Sequence, residues 1–227
     1  MNKYLGIIPA RGGSKRLPRK NLLDLNGKPL IAWSIEASLH SKYINKTVVT
    51  SDDDEILEVS QNYGASIIKR PSELASDTST TFDAIKHTVD SFEDFEYVIL
   101  LQLTSPLRNS NHINEAIELL EEKNADAVIS VCEMDHSPLW SNTLPEDKNM
   151  NNFLRDEVLN KRSQDLDKFY RLNGAIYICK TEKLLEAKTF FLKENTFAFE
   201  MDKKSSVDID DEFDFILVKS ILNLSIQ

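Results

Sequence analysis

Short apolar runs rich in β-branched residues alternate along this chain with stretches whose apolar positions return every three or four residues. That alternation predicts a largely parallel sheet covered by helices. A first strand is expected near Leu5 to Ile8, and Asn26-Gly27-Lys28-Pro29 reads as a turn. Ile31, Ile35 and Leu39 then recur at four-residue spacing on a helix. "KTVVTS" (46–51) and "ASIIKRP" (65–71) give two more strands, with Ser51 and Asp52 to Asp54 suited to opening the helix between them. "DTSTTFDAIKHTVDSF" (77–92) begins with capping residues and continues as a helix. "YVILLQL" (97–103) is almost continuously apolar, which predicts a central strand buried on both faces. Ile113, Ala116, Ile117 and Leu120 mark an amphipathic helix, and "ADAVISVC" (125–132) a fifth strand.

The pattern breaks between Ser137 and Lys168, a polar stretch carrying Pro138, Pro145, Asn149, Asn151 and Asn152. An irregular segment of that length in a compact domain marks a lid, a binding loop or an oligomer arm. Strands resume at "NGAIYIC" (173–179) and "NTFAFEM" (195–201). A last helix is expected from about Asp211, with Phe213, Ile216, Leu217, Ile221 and Leu224 facing inward.

Charge changes this picture at one place. The chain has 227 residues and a formal net charge of -10, so no broad basic surface for nucleic acid is expected. Yet five of its 27 basic residues (Arg11, Lys15, Arg16, Arg19 and Lys20) crowd into ten positions beside Gly12 and Gly13, directly after the first strand. Glycines let backbone N–H groups converge on an anion while Lys and Arg supply charge, and clustered cations repel one another unless an anion screens them. The loop has neither the G-x-x-x-x-G-K-[ST] nor the G-x-G-x-x-G spacing, which argues against a kinase-type phosphate loop and against hydride transfer to a dinucleotide. A solvated basic loop is the plain alternative; the concentration of charge points to a polyphosphate site.

A second constellation is "SSVDIDDEFDF" (205–215). In an extended segment Asp208 and Asp210 point the same way, and paired carboxylates suit Mg²⁺ completed by phosphate oxygens. Asp210, Asp211 and Glu212 are also placed to cap the last helix, whereas Asp208 lies too early for that. Cys132 and Cys179 sit in separate strand-like runs and are expected as buried thiols, and the four histidines are scattered. No apolar run approaches the roughly 20 residues that span a bilayer, and the first residues lack the pattern of a signal peptide. The expectation is a cytoplasmic protein.

The blocks "IIPARGGSKRLPRKN", "GKPLIAWSIEAS", "VVTSDDDEI", "YGASIIKRPSELASDTSTT", "LLQLTSPLR", "YRLNGAIYI", "TFFL" and "SSVDIDDEFDF", in this order, resemble the CMP-sialic acid synthetases (acylneuraminate or nonulosonic acid cytidylyltransferases), relatives of the CMP-KDO synthetases. The resemblance runs nearly end to end. It implies an α/β fold with a mostly parallel central sheet flanked by helices, the Rossmann-like nucleotide-diphospho-sugar transferase fold, over residues 1–227 as a single domain, with 137–168 inserted as a dimerisation or lid segment. It implies a reaction in which CTP and a nine-carbon 2-keto sugar acid give the CMP-sugar and pyrophosphate, with Mg²⁺ as cofactor and a homodimer as the working form. N-acetylneuraminic acid is the first expectation for the sugar, legionaminic or another bacterial nonulosonic acid the alternative. A catalytically silent nucleotide-binding relative is a third reading, against which the retained Lys20, Asp208 and Asp210 stand.

By the same resemblance Arg11, Gly12, Gly13, Ser14 and Lys15 meet the triphosphate, and Lys20 the charge developing on the α-phosphate. Asn21, Arg70 and Thr81 meet the nucleoside, and Asp208 and Asp210 hold the metal. Gln102, Tyr177, Phe190 and Phe191 belong to the sugar pocket, with Arg171 and Asn173 close by. Each has a plain counterpart: Gln102 closing a strand end, Phe190 and Phe191 as core, Arg70 as a surface cation. The chain departs from the family at Leu103, where proline is usual, at Trp140, where a cation is common, and at Ser163, next to a displaced arginine, Arg162.

Overall fold

A computed structural model describes residues 2–14, 16–76, 78–92 and 94–224. In chain order the elements are β1 (Tyr4–Pro9), β2 (Asp24–Leu25), β3 (Lys28–Pro29), α1 (Leu30–Leu39), β4 (Ile44–Ser51), α2 (Asp54–Asn62), β5 (Ser66–Lys69), α3 (Thr81–Val89), β6 (Tyr97–Leu100), α4 (Ser110–Glu122), β7 (Ala127–Glu133), β8 (Tyr170–Lys180), α5 (Thr181–Ala187), β9 (Thr196–Glu200) and α6 (Glu212–Leu224). Seven strands form one sheet in the order β5-β4-β1-β6-β8-β7-β9, while β2 and β3 make a separate two-residue ladder around Asn26 and Gly27. All neighbours are parallel except those of β8, which runs antiparallel to both β6 and β7. The expected mostly parallel sheet with helices is therefore present, with one reversed strand beside its middle one.

Alternation along the strands divides the core between two faces. Leu5 and Ile7 of β1, Val98 and Leu100 of β6, and Tyr177 and Cys179 of β8 bury against α3 and α5 through Ile85 and Leu184. Tyr4, Ile8, Ile99, Ile176 and Ile178 face the other way, onto Ile31 and Ile35 of α1 and Ile113 and Ile117 of α4. Each such aliphatic side chain contributes roughly 1.5–3 kcal/mol on burial. β6 is the fourth of the seven strands and buried along its whole length, as its unbroken apolar run predicts. Cys132 and Cys179 are buried and unbonded, and burial pushes the Cys179 thiol up to about 12.

Caps explain where the helices start. Asp53 accepts from the Ile56 N–H at the head of α2, and Thr80 and Asp83 bond reciprocally at the head of α3. Asp77, within the expected 77–92 run, lies outside the described residues. The segment from Met134 to Phe169 carries only short 3₁₀ turns and springs from the β7–β8 pair, its base closed by the Met134 N–H donating to the Phe169 carbonyl at 2.8 Å. It is thus the loop of a long antiparallel hairpin.

The last helix corrects the sequence reading. Val218 is the buried residue of α6, flanked by Phe215 and Leu222 against the core face that holds Ile31 and Ile113. Phe213, Ile216, Leu217 and Leu224, expected inward, are exposed. This helix is apolar around more than one side, so spacing alone could not choose which stripe meets the sheet. Helix α5 was not anticipated, because seven residues offer less than two turns of periodicity.

Candidate active site

The loops that follow β1, β5 and β6 leave the same edge of the sheet, the carboxyl edge where open α/β folds place their ligands. Between them lies a cleft of roughly 680 Å³, lined among others by Arg11, Ser14, Arg16, Lys20, Asn21, Arg70, Thr81, Gln102, Thr104 and Asp210. Two side chains hold its floor. Buried Arg70 donates through Nη2 to the Ala10 carbonyl at 2.7 Å, and buried Asn21 donates through Nδ2 to the Arg11 carbonyl at 2.9 Å. Arg70 is 5% exposed, which rules out the surface-cation reading. Its Nε has no partner, and burial draws the guanidinium below its ordinary pKa.

The acidic segment reaches this cleft from the far end of the chain. The Ile209 N–H donates to the Thr104 carbonyl at 2.8 Å, and Lys20 Nζ donates to the Ile209 carbonyl at 2.5 Å. Lys20 thereby sits between Asp208 and Asp210. Burial lowers the lysine's pKa, opposed by the carboxylates of Asp208, Asp210 and Asp214. Burial raises the Asp208 pKa, opposed by a hydrogen bond from Thr104 and increased by the neighbouring Asp210 charge.

Asp208 Oδ1 is buried without a hydrogen-bond partner. A buried, orphaned carboxylate oxygen beside a second carboxylate is what a hard divalent cation would complete. Among the described residues no cluster of three or more His, Cys, Asp or Glu side chains is placed to hold a metal ion, so such a cation would draw its remaining ligands from phosphate or water. Asp211, not Asp210, caps α6, accepting from the Phe213 and Asp214 N–H groups. The Asp210 carboxylate instead accepts from Arg16 Nη1 at 3.0 Å, an exposed pair that adds little stability.

These contacts correct one sequence inference. Crowded cations were expected to require an anion for screening, yet the fold supplies carboxylates of its own. Arg16 meets Asp210, Arg19 meets Asp53 and Glu55, and Lys20 faces the acidic segment. The Gly12 N–H is likewise engaged by Asp52 Oδ1 at 3.2 Å. A Cβ at Gly12 would lie 2.7 Å from Asp53 Oδ2, so the loop can press on the head of α2 only with glycine there. Gly13 has open space around it. Lys15 lies outside the described residues. Ser14 and Thr81, the latter at the head of α3, line the cleft.

The residues expected around the sugar are less gathered. Gln102 lines the cleft, its Oε1 lying 2.8 Å from where a Cβ on Gly174 would project; Gly174 also has a φ of 75°. Tyr177 is buried and feels the Asp208 charge, burial being the larger cause of its raised pKa. Phe190 is buried against Tyr177 in the core face that holds Ile85 and Leu184, the plain core reading, whereas Phe191 is 52% exposed and meets the Tyr177 ring edge-on at 6.1 Å. Asn173 is buried with both ends of its amide used: Nδ2 donates to Ser206 Oγ, and Oδ1 accepts from Ser130 Oγ and the Ala175 N–H. Arg171, largely exposed, donates to the Ser206 carbonyl at 3.3 Å. Arg171 and Asn173 thus tether the acidic segment to β8, while neither lines the cleft.

Residues missed from the sequence include Thr104, which grips the acidic segment, Asp214, which accepts from the Asp210 and Asp211 N–H groups, and the anchor Ser206. All are short polar residues inside motifs already noticed; nothing in their spacing set them apart.

A model described as Cytidylyltransferase matches residues 5–218. An N-acylneuraminate cytidylyltransferase of Escherichia coli O18:K1:H7 is 39% identical over 96% of this chain and 52% of its own length. A CMP-N,N'-diacetyllegionaminic acid synthase of Legionella pneumophila is 34% identical over 98% of this chain and 97% of its own. Among solved structures, a CMP:2-keto-3-deoxy-manno-octonic acid synthetase complexed with CTP superposes with a TM-score of 0.77 at 18% identity, covering 99% of this chain and all of that one. The chain spans about half the length of the N-acylneuraminate relatives it matches, and nearly all of the legionaminic one. A cleft joining the cationic loop to the acidic segment at Asp210, on this sheet and with these matches along its length, means that the chain belongs to the cytidylyltransferase family.

Proposed function

We propose that this chain joins CTP to a nonulosonic acid, giving the CMP-sugar and pyrophosphate. The observation that carries the reading is the bond from Lys20 to the Ile209 carbonyl, between Asp208 and Asp210 and 189 positions away in sequence, at a cleft whose other walls are Arg11, Ser14, Asn21, Arg70 and Thr81. The sugar's anomeric oxygen forms a bond to the α-phosphorus while the bond to the leaving pyrophosphate breaks in line. Catalysis of this kind is mostly positioning and charge neutralisation.

Lys20, held half-buried among carboxylates, stabilises charge developing at the α-phosphate. Arg11, Lys15, Ser14 and the glycine turn at Gly12 and Gly13 receive the triphosphate. Arg70 and Asn21, which fix the carbonyls of the loop, shape the nucleoside pocket with Thr81. Asp208 and Asp210 would hold Mg²⁺, which when bound supplies positive charge to the phosphate oxygens. Gln102, from the end of β6, and Tyr177, near Asp208, face the sugar, with Phe191 exposed beside them.

N-acetylneuraminic acid is the favoured sugar, because the relatives named for N-acylneuraminate reach 39–40% identity against 34% for the legionaminic synthase. The end-to-end match to that synthase supports legionaminic acid as the second reading. The working form is a homodimer in the cytoplasm. Leu144, Met150 and Leu159 on the irregular segment, with Tyr170 and Leu172 at the start of β8, are exposed apolar side chains that a second copy would cover. Among the described residues no helix is long and apolar enough to cross a membrane.

A panel of sugar acids with CTP, read by pyrophosphate release with and without Mg²⁺, tests all of this together. Release with N-acetylneuraminic acid, dependent on Mg²⁺, is the expected outcome. Release with none of the acids would make the protein a silent nucleotide-binding relative.

A further inference from the structure

Among the described residues the most deeply buried cation is not in the cleft. Arg108, 1% exposed, stands two residues before the first turn of α4. Its Nη2 donates to Ser34 Oγ on α1 at 2.6 Å and to the Gln102 carbonyl at 3.3 Å. Its Nε and Nη1 are buried without partners, and so is Ser105 Oγ in the same turn. Burial alone draws the guanidinium down to about 9. An uncompensated buried charge is destabilising, and an apolar side chain of similar size packs at such a position without that penalty. The residue's stability value therefore does not account for it.

What Arg108 holds does. The turn from Gln102 to Arg108 is closed by the Ser105 N–H on the Gln102 carbonyl and the Arg108 N–H on the Ser105 carbonyl. The guanidinium adds a third donor at this turn and ties it to α1. Two groups of the site ride on the turn. Gln102 faces the cleft with its side-chain oxygen seated against Gly174, and Thr104 accepts from the Ile209 N–H and bonds the Asp208 carboxylate. A shift of the Gln102 carbonyl would move both, and displacements on the scale of an ångström at a reacting centre are costly to rate.

We infer that Arg108 is a positioning residue: from behind the cleft it fixes the 102–105 turn, and through it the sugar-facing Gln102 and the Thr104 grip on the acidic segment. This rests on the function proposed above, and it adds a residue that touches neither substrate.

Arg108→Met and Ser34→Ala, each compared with the unaltered protein, test it through three readouts. Thermal unfolding of Arg108→Met is expected at or above the wild-type Tm, since an orphaned charge is removed. Its kcat/KM for the sugar acid is expected to fall by roughly tenfold or more while the KM for CTP stays within about threefold. Amide hydrogen exchange is expected to speed up at 102–105 and 206–210 and nowhere else. Ser34→Ala, which folds with the charge retained, should show the same pattern more weakly.

Unchanged exchange in both segments would overturn the inference. So would a lowered Tm accompanied by wild-type kinetics, because Arg108 would then be a structural residue only. The exchange measurement needs no turnover, so it decides the role of Arg108 even if the unaltered protein releases no pyrophosphate, a result that would instead sink the proposed reaction.

Discussion

The two sides of the cleft are built differently. On the side proposed for the nucleotide Arg11, Ser14, Lys20, Asn21, Arg70 and Thr81 all line one cavity, and the loop that carries most of them is tied down through the carbonyls of Ala10 and Arg11. Of the residues proposed for the sugar only Gln102 lines it. Asn173 and Phe190 are buried in the fold, Arg171 holds a loop, and Phe191 stands exposed. A binding side assembled within one chain contrasts with one whose residues mostly support rather than surround the cavity. The proposed dimer accounts for that asymmetry, because a second copy would add walls where this chain leaves open ground.

Phe190 and Phe191 give the largest test of the contrast, being adjacent in sequence and opposite in burial. Phe190→Ala is expected to destabilise the protein by about 3–5 kcal/mol, as truncation of a buried aromatic does. Phe191→Ala should leave the unfolding midpoint in denaturant almost unchanged and raise the KM for the sugar acid. Equal stability losses would show that both are core and that the sugar side lacks its exposed aromatic.

Lys20→Ala follows in size. Loss of a charge-stabilising donor is expected to lower kcat by about 10²–10³-fold, with CTP affinity measured by calorimetry changing far less. An unchanged rate would take Lys20 out of the chemistry and leave the nucleotide side a binding surface. Asn173→Ala should come next. It breaks the bonds to Ser206 and Ser130, which keep the Asp202 and Ile176 carbonyls, and takes its acceptor from the buried Ala175 N–H, so a loss of about 1–3 kcal/mol is expected. The Mg²⁺ dependence of activity should shift with it, because the acidic segment loses its tie to β8.

The same contrast separates what the sequence made legible from what it hid. The sheet, the helices α1 to α4 and the placing of the cationic loop at the cleft follow from periodicity and from a dense cluster of charge, signals that are local in the chain. The reversal of β8 was not readable, because direction depends on where the 134–169 excursion returns, and pairing partners are non-local. Nor was the burial of Asn173, whose four polar contacts come from three separate segments. The orientation of α6 failed for another reason: it offers two apolar stripes, and only packing picks Val218 over Leu217. The screening of the basic loop by Asp53, Glu55 and Asp210 was missed because Asp53 and Asp210 had already been given other roles, as helix opener and metal ligand, and nothing local set Glu55 apart.

The smallest expected effect lies on the nucleotide side, at the head of α3. The Asp83 carboxylate accepts from the Thr80 hydroxyl and backbone N–H, and these bonds hold its pKa below the ordinary carboxylate value. A depressed folded pKa means that the stabilisation is present above the unfolded value, roughly 3.9, and is lost as pH falls through the folded one. Asp83→Asn should therefore lower the Tm slightly at neutral pH, and the gap to the unaltered protein should close on acidification below that range. Since Thr80, Thr81 and Ala84 line the cleft, a frayed first turn should also raise the KM for CTP while sparing that for the sugar acid. If the KM for the sugar acid rose instead, the head of α3 would belong to the other side of the cleft, and the division between a self-contained nucleotide side and an unfinished sugar side would have to be redrawn.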